Sequence, residues 1–359
     1  SAGVMSHDVA SLGAYHKGAV VAGGRVAGGG GSTVVEEYSF ESDAWRERAP
    51  LPQTRHSAAA GVTSEPNGLT QGDRQIWLVG GQTSSGPSTD VKTYNHDLGP
   101  RRHLEPMPQG RYSHAAAGLQ DRLYLFGGLH QGDQTSGWAF DPETESYIPL
   151  PELPSIQNGL VAESAHGRVF AIGGSNQFGN PVTSVHAFDP VTWEWSAMAS
   201  IPSGRADAAS VVVVDEIYVI GGDNNGPVQT VEIYSPADDS WRSGPVLPQA
   251  RMGAMALQHD GDIYVLGGVD GSDNPMTSAI RLPSGSDSWE TVAGVNLDAA
   301  YATAALIGDD TIAVFGGRQS GNLTGRVWFY DISEGIQREV DIDPVRSLDR
   351  SAIVYHHGK

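Results

Sequence analysis

The stretch DEIYVIGG (residues 215–222) decides the fold. A short apolar run ends in paired glycines, and close variants recur as AVVAGG (19–24), IWLVGG (76–81), LYLFGG (123–128), VFAIGG (169–174), IYVLGG (263–268) and IAVFGG (312–317). The second glycines are separated by 57, 47, 46, 48, 46 and 49 residues. Seven copies at so regular a step mark a repeat architecture. No copy reads as GxGxxG opening a helix, so the glycines are punctuation between strands and not a phosphate loop.

Other positions keep the same register. Twelve to fourteen residues beyond each pair stands Tyr38, Tyr94, Phe140, Phe188, Tyr234, Leu282 or Tyr330. Seven residues further stands Trp45, Tyr147, Trp195, Trp241 or Trp289, with Arg101 and Gln337 departing in the second and seventh copies. Sixteen residues before the first glycine stands Arg111, Arg205 or Arg251, and Arg55 joins them once the insertion SEPNGLTQGDRQ (64–75) is allowed for. His7, Gln157 and Ala300 break the arginine rule.

A unit of this length with four strand-like runs cannot bury both its faces alone, and radial stacking of such units is the propeller solution. The first run is small and apolar (ADAASVVVV, 206–214), as suits a strand near a crowded axis. The third carries the Tyr or Phe (TVEIYSP, 230–236), and the fourth carries the Trp (SWRSGPVLP, 240–248). The predicted class is therefore all-β.

The segments RMGAMALQHDGDIYVLGG (251–268) and VEIYSPADDSW (231–241) place arginine, double glycine, tyrosine and tryptophan in the order of the Kelch repeat. The chain resembles the Kelch family over about residues 7–344. The resemblance implies one β-propeller domain across 1–359, with blades at about 7–52, 55–108, 111–154, 157–202, 205–248, 251–297 and 300–344. Residues 345–359 are a closing strand or a tail, since RSAIVYHHG (350–358) is similar to HDVASLGAYHKG (7–18).

Composition narrows the function. The chain has 359 residues, 39% of them hydrophobic, and a formal net charge of −20, with 26 Asp, 16 Glu and only three lysines. Such acidity argues against nucleic acid or an anionic membrane surface as a partner. No apolar stretch approaches the length of a membrane helix. There are no cysteines, which removes disulfides, thiolate metal sites and copper–radical chemistry of the galactose-oxidase type. A start at Ser1-Ala2-Gly3 leans towards a periplasmic or extracellular protein and leaves a cytoplasmic one open.

In a propeller the loops at one mouth of the central channel carry function, because the strands are consumed by packing. Arg55, Arg111, Arg205 and Arg251 open first strands, so the sequence leaves two readings of them. They form an anion-binding funnel, or they bond backbone carbonyls between blades. In Kelch adaptor domains arginines at this place bind acidic peptide motifs, which implies an anionic partner here. Tyr112, His114 and Tyr301 adjoin the same positions and would add hydrogen bonds or move a proton.

Two function classes follow. One is a binding module presenting an arginine-lined mouth to an anionic small molecule, acidic sugar or acidic peptide. The other is an exported enzyme on acidic carbohydrates, of lyase, epimerase or mutarotase type. No cofactor and no metal site is expected, since Asp270 and Asp273 lack calcium-loop spacing.

Overall fold

The computed structural model describes residues 10–15, 18–22, 32–39, 44–54, 58–63, 75–95, 99–101, 105–112, 114–120, 122–128, 135–141, 144–297, 299–307, 310–315, 318–319, 322–323, 326–341 and 351–354. Its strands form seven principal sheets in chain order, each with antiparallel neighbours built from successive strands, and the first with a fifth strand added. The protein is a seven-bladed β-propeller. In blade 5 the strands are Ala209–Val213, Glu216–Ile220, Val231–Ser235 and Ser240–Ser243. Their register sets Val211 opposite Tyr218, Tyr218 opposite Ile233 and Tyr234 opposite Trp241.

The inner strands pack against one another in a circle. Ala59–Thr63 meets Ala115–Leu119, then follow Val161–Ala165, Ala209–Val213, Met255–His259 and Thr303–Ile307. Ser351–Val354 touches both ends of that series and pairs parallel with Ala10–Tyr15, so the C-terminal strand closes the ring inside blade 1.

Among the described residues the core clusters are each shared by two successive blades. One joins Ala208, Val212, Ile217 and Tyr234 of blade 5 to Val161, Phe170 and Ile172 of blade 4, and another joins Val231 and Ile233 to Ile263, Val265 and Ile280 of blade 6. Apolar burial is thus supplied by the seams, which is why a single blade is not a folding unit.

The aromatic positions of the repeat lie across these seams. Tyr234 and Trp241 stack within blade 5 at 4.9 Å between ring centroids, and Phe188 and Trp195 stand at 5.3 Å within blade 4. Each indole then reaches back: Trp195, Trp241 and Trp289 donate to the carbonyls of Pro151, Ala199 and Pro245 in the preceding blade. Gln337, which breaks the tryptophan rule in sequence, keeps the bond. Its Nε2 donates to the Asn296 carbonyl at 3.1 Å and its Oε1 accepts from the Asn296 amide at 2.7 Å.

The glycine pair also serves the seam. A β-carbon on Gly221 would stand 2.5 Å from the Arg251 carbonyl of the next blade, and one on Gly222 would stand 2.8 Å from the Ala206 carbonyl of its own. Both residues have positive φ, 62° and 101°. The Gly222 amide donates to the Arg251 carbonyl at 2.9 Å, a close approach of two backbones that only glycine permits.

Candidate functional site

Each second strand ends in its glycine pair at the same end of the blade where that blade's own inner strand is entered. The two segments are bridged there: Asn158 pairs with Ser175, Ala206 with Asp223 and Met252 with Val269. Beyond the glycines the chain folds into small hairpins, closed by Ser175 with Pro181, Asp223 with Pro227 and Val269 with Pro275. In blades 2 and 7 the hairpins are Gln82–Thr83 with Gly86–Pro87 and Arg318–Gln319 with Asn322–Leu323. Together these loops form one mouth of the propeller. The turns after the inner strands, such as Val214-Asp215, lie at the opposite end.

The mouth is tied together by backbone. The Asp207 amide donates to the Gly159 carbonyl at 3.3 Å, the Gly253 amide to the Asp207 carbonyl at 3.1 Å, and the Tyr301 amide to the Gly253 carbonyl at 2.9 Å. This chain crosses four blades. All four residues are left-handed, with φ of 68°, 51°, 62° and 51° along the series. Positive φ is costly for a bulky aromatic residue, so Tyr301 is held there by its neighbours.

The arginines of the repeat do not line this mouth. Arg111, Arg205 and Arg251 are 1%, 2% and 1% exposed. Arg205 Nη1 donates to the carbonyls of Gly221 and Thr230 at 3.0 and 3.1 Å, and Nη2 meets Glu232 at 2.6 Å. Arg111 Nη1 donates to the Gly127 and Ser136 carbonyls, both at 2.8 Å, and its guanidinium lies 4.4 Å over the Trp138 ring. Arg251 Nη1 donates to the Gly267 carbonyl at 3.1 Å. Each guanidinium therefore fastens the entry of its inner strand to the glycine turn and third strand of the same blade. The expectation of three arginines offered to a ligand is corrected by this burial: their donors serve backbone carbonyls. Arg55 and His56 lie outside the described residues.

A second position varies with the first. Opposite the residue two before the glycine pair stand Trp138, His186, Glu232, Ile280 and Trp328 on the third strands. Trp138 lies under Arg111 and Glu232 pairs with Arg205. Where Gln157 replaces arginine, its Nε2 donates to the Gly173 carbonyl at 2.7 Å, and its Oε1 lies 3.0 Å from His186 Nδ1. Blade 6 sets Ile280 there, and Arg251 lacks a carboxylate. Burial lowers the pKa of Arg251 to about 10. Burial also raises the pKa of Glu232 and lowers that of Arg205, against the attraction between them.

This comparison predicts two unequal outcomes at one site. Glu232→Ala leaves Arg205 buried beside a hole and costs about 3–5 kcal/mol in urea unfolding. Glu232→Ile reproduces the Arg251–Ile280 arrangement and costs less than half as much. Equal losses would show that blade 6 tolerates its lone arginine for some other reason.

The remaining sequence candidates separate. Tyr112 is half-buried at the position that Asn158, Ala206 and Met252 occupy in later blades. His114 is buried beneath the mouth, beside Gly80 and Gly128, and neither ring nitrogen has a hydrogen-bond partner. Ala300 is displaced by one residue from its expected place. Ala299 accepts the Gly268 amide at 3.1 Å as Arg251 accepts Gly222, because the connection between Thr303–Ile307 and Thr311–Phe315 is one residue longer than those of blades 3 to 6. Tyr301 accordingly occupies the place of Asp207 and Gly253, not that of Asn158.

The seam contacts, with their fixed arginine, glycine-pair and tryptophan places, are those of one repeat family. The model of the KLHDC2/KLHL20/DRC7 Kelch-repeats domain matches residues 6–222 and 67–268. The chain belongs to the Kelch-repeat family. Among curated proteins, Kelch-like protein 35 of Mus musculus is 26% identical over 51% of this chain and 30% of its own length. Kelch-like protein terF of Aspergillus terreus is 26% identical over 54% and 44%, and Beta-scruin of Limulus polyphemus 26% over 52% and 21%. The chain thus spans less than half the length of these relatives. The solved structure of YjhT covers 80% of this chain and 97% of its own at a TM-score of 0.59 and 14% identity, a likeness of fold. Among the described residues no helix is long and apolar enough to cross a membrane. Among the described residues no three metal-ligating side chains converge.

Proposed function

We infer that this Kelch propeller is a protein-binding module whose partner docks on the mouth formed by the hairpins after the glycine pairs. One observation carries the reading. Phe178 stands 79% exposed at the tip of the blade 4 hairpin, and the turn beneath it is built to hold it there. Asn176 Oδ1 accepts the Phe178 amide at 2.9 Å and the Asn180 amide at 3.1 Å. An aromatic ring exposed on a turn whose backbone is already ordered is contact area at reduced entropic cost, which is what a recognition surface uses.

An anionic partner would not meet Arg111, Arg205 or Arg251 at this mouth, since all three are buried. The enzyme reading loses the guanidiniums that were to neutralise a substrate carboxylate, since Arg111, Arg205 and Arg251 are inside the blades.

The test is selection of binders from a random dodecapeptide library, scored on two variants. Phe178→Asp is expected to abolish binding of most selected peptides, and Val214→Asp, at the opposite end and 92% exposed, to leave it intact. The reverse pattern would move the binding face to the other end.

A further inference from the structure

Arg251 is held less completely than its counterpart in the preceding blade. Arg205 uses every edge of its guanidinium. Its Nε donates to the Ser203 carbonyl at 3.1 Å, its Nη1 to the Gly221 and Thr230 carbonyls, and its Nη2 to the Glu232 carboxylate at 2.6 Å. Arg251 is 1% exposed, yet its Nη1 donates only to the Gly267 carbonyl. Its Nη2 reaches the Ser278 hydroxyl at 3.4 Å, the long limit of a hydrogen bond, and its buried Nε has no partner. The undersupplied edge is thus Nε–Nη2, the fork with which a guanidinium takes an anion in two parallel hydrogen bonds.

One third-strand place accounts for the difference. Glu232 stands opposite Val219 and Ile280 opposite Val265, each two residues before a glycine pair. Ile280 is 2% exposed and packs in the cluster shared by blades 5 and 6. An isoleucine ends one bond short of where a glutamate carries its oxygens, so it packs along the same path and offers no acceptor at its end. A buried guanidinium without a counter-charge is costly, and the lowered pKa of Arg251 is a measure of that cost. Blade 5 shows what the place takes: one negative charge, set against Nη2.

We propose that Arg251 binds a small monovalent inorganic anion, chloride under ordinary conditions, on its Nε–Nη2 edge beside the Ser278 hydroxyl. The ion plays for Arg251 the part that the Glu232 carboxylate plays for Arg205, accepting from Nε–H, Nη2–H and the hydroxyl. Sulfate or phosphate would bring further oxygens and further charge against the apolar Ile280 side, and is disfavoured there. The net charge of −20 opposes anions over the surface, so the buried guanidinium supplies the attraction and the affinity is modest. The ion binds whether or not the mouth receives a protein.

Urea unfolding in sodium chloride and in sodium gluconate, at equal ionic strength, reads the binding, because gluconate is too large for a place of this size. When chloride exceeds its dissociation constant about tenfold, the ratio of folded to unfolded protein should exceed that in gluconate by about the same factor. Ile280→Glu supplies the carboxylate from within the chain and abolishes the difference. Glu232→Ile removes it from blade 5 and enlarges the difference. Crystals grown in bromide should give an anomalous peak beside Arg251 Nε and none beside Arg205, with a second peak appearing beside Arg205 in Glu232→Ile. Equal unfolding in the two salts, a chloride effect undiminished in Ile280→Glu, or no bromide at Arg251 would each overturn the proposal. Should Ile280→Glu fail to fold, the bromide crystals of wild type and Glu232→Ile decide it.

Discussion

Gly221→Ala is expected to destabilise the propeller by roughly 3–5 kcal/mol, enough to unfold many domains of this size. Two independent causes combine. The residue has φ of 62°, where an added β-carbon meets its own carbonyl. The same β-carbon would also stand 2.5 Å from the Arg251 carbonyl of the next blade. That neighbour is backbone and cannot swing aside as a side chain would, so relief requires opening the seam between blades 5 and 6. The seam is where Val231, Ile233, Ile263 and Val265 bury their apolar surface. Gly118→Ala is the control. It lies within the inner strand Ala115–Leu119, has no positive φ, and has no atom within 4 Å of its would-be β-carbon. It should change stability by less than about 1 kcal/mol, in the stabilising direction if the unfolded chain loses freedom. Urea midpoints of the two variants decide the matter. A Gly221→Ala protein as stable as wild type would mean that the pair is not held by the seam.

That contrast explains how much of the fold was legible in sequence. Glycine pair, third-strand aromatic and outer-strand tryptophan each meet a steric or hydrogen-bonding demand of the seam, so each recurs at a fixed place along the chain. Direction was not legible. Arginine at the head of an inner strand satisfies the pattern whether its guanidinium faces the channel or the blade, and only the geometry shows Arg205 bonded to the Gly221 and Thr230 carbonyls. A signal did exist: the third-strand partner changes with the bolt, Glu232 with Arg205 and His186 with Gln157. Because loop lengths differ between blades, the spacing wanders and hides this. The same cause misplaced Ala300 by one residue. Gln337 illustrates the opposite case, a broken pattern whose hydrogen bond to the preceding blade survives.

The left-handed backbone series at the mouth stands at the limit of what sequence offers. Tyr301 and Asp207 were visible as neighbours of the arginine positions, but nothing in the chain order says that they share one left-handed backbone place on either side of Gly253. That equivalence comes from three hydrogen bonds between residues 46 to 48 apart in sequence. The propeller makes such sites by arithmetic. Each blade contributes one residue to each ring around the axis, so chemistry is assembled from one residue per repeat while the repeat itself is spent on packing.

Removing one of two buried titratable groups should tilt the pH profile of stability, in opposite directions for the two. Burial, with help from the Arg111 charge, lowers the pKa of His114 from 6.5 to about 3. The folded state therefore binds fewer protons than the unfolded chain between those values, and His114 withdraws stability as pH falls from 6.5 towards 3. Over that whole range the loss is on the order of 4–5 kcal/mol. Glu163, on the inner strand Val161–Ala165, has its pKa raised by burial from 4.5 to about 7, against the hydrogen bond from Ser210 at 2.7 Å. There the folded state binds more protons, so stability is gained as pH falls from 7 to 4.5, by roughly 3 kcal/mol. Between about pH 6.5 and 4.5 the two slopes cancel, and wild type is flat as far as this pair decides. His114→Leu removes the unpaired ring and leaves Glu163 acting alone. Its stability relative to wild type should climb by roughly 3 kcal/mol as pH falls from 6.5 to 4.5. Glu163→Gln keeps a hydrogen-bonding group for Ser210 and leaves His114 acting alone, and should lose a similar amount over the same interval. Urea unfolding of all three proteins at several pH values reads the differences directly, with every other titrating group held in common. Parallel profiles would show that neither group is held away from its ordinary pKa by the packing around it.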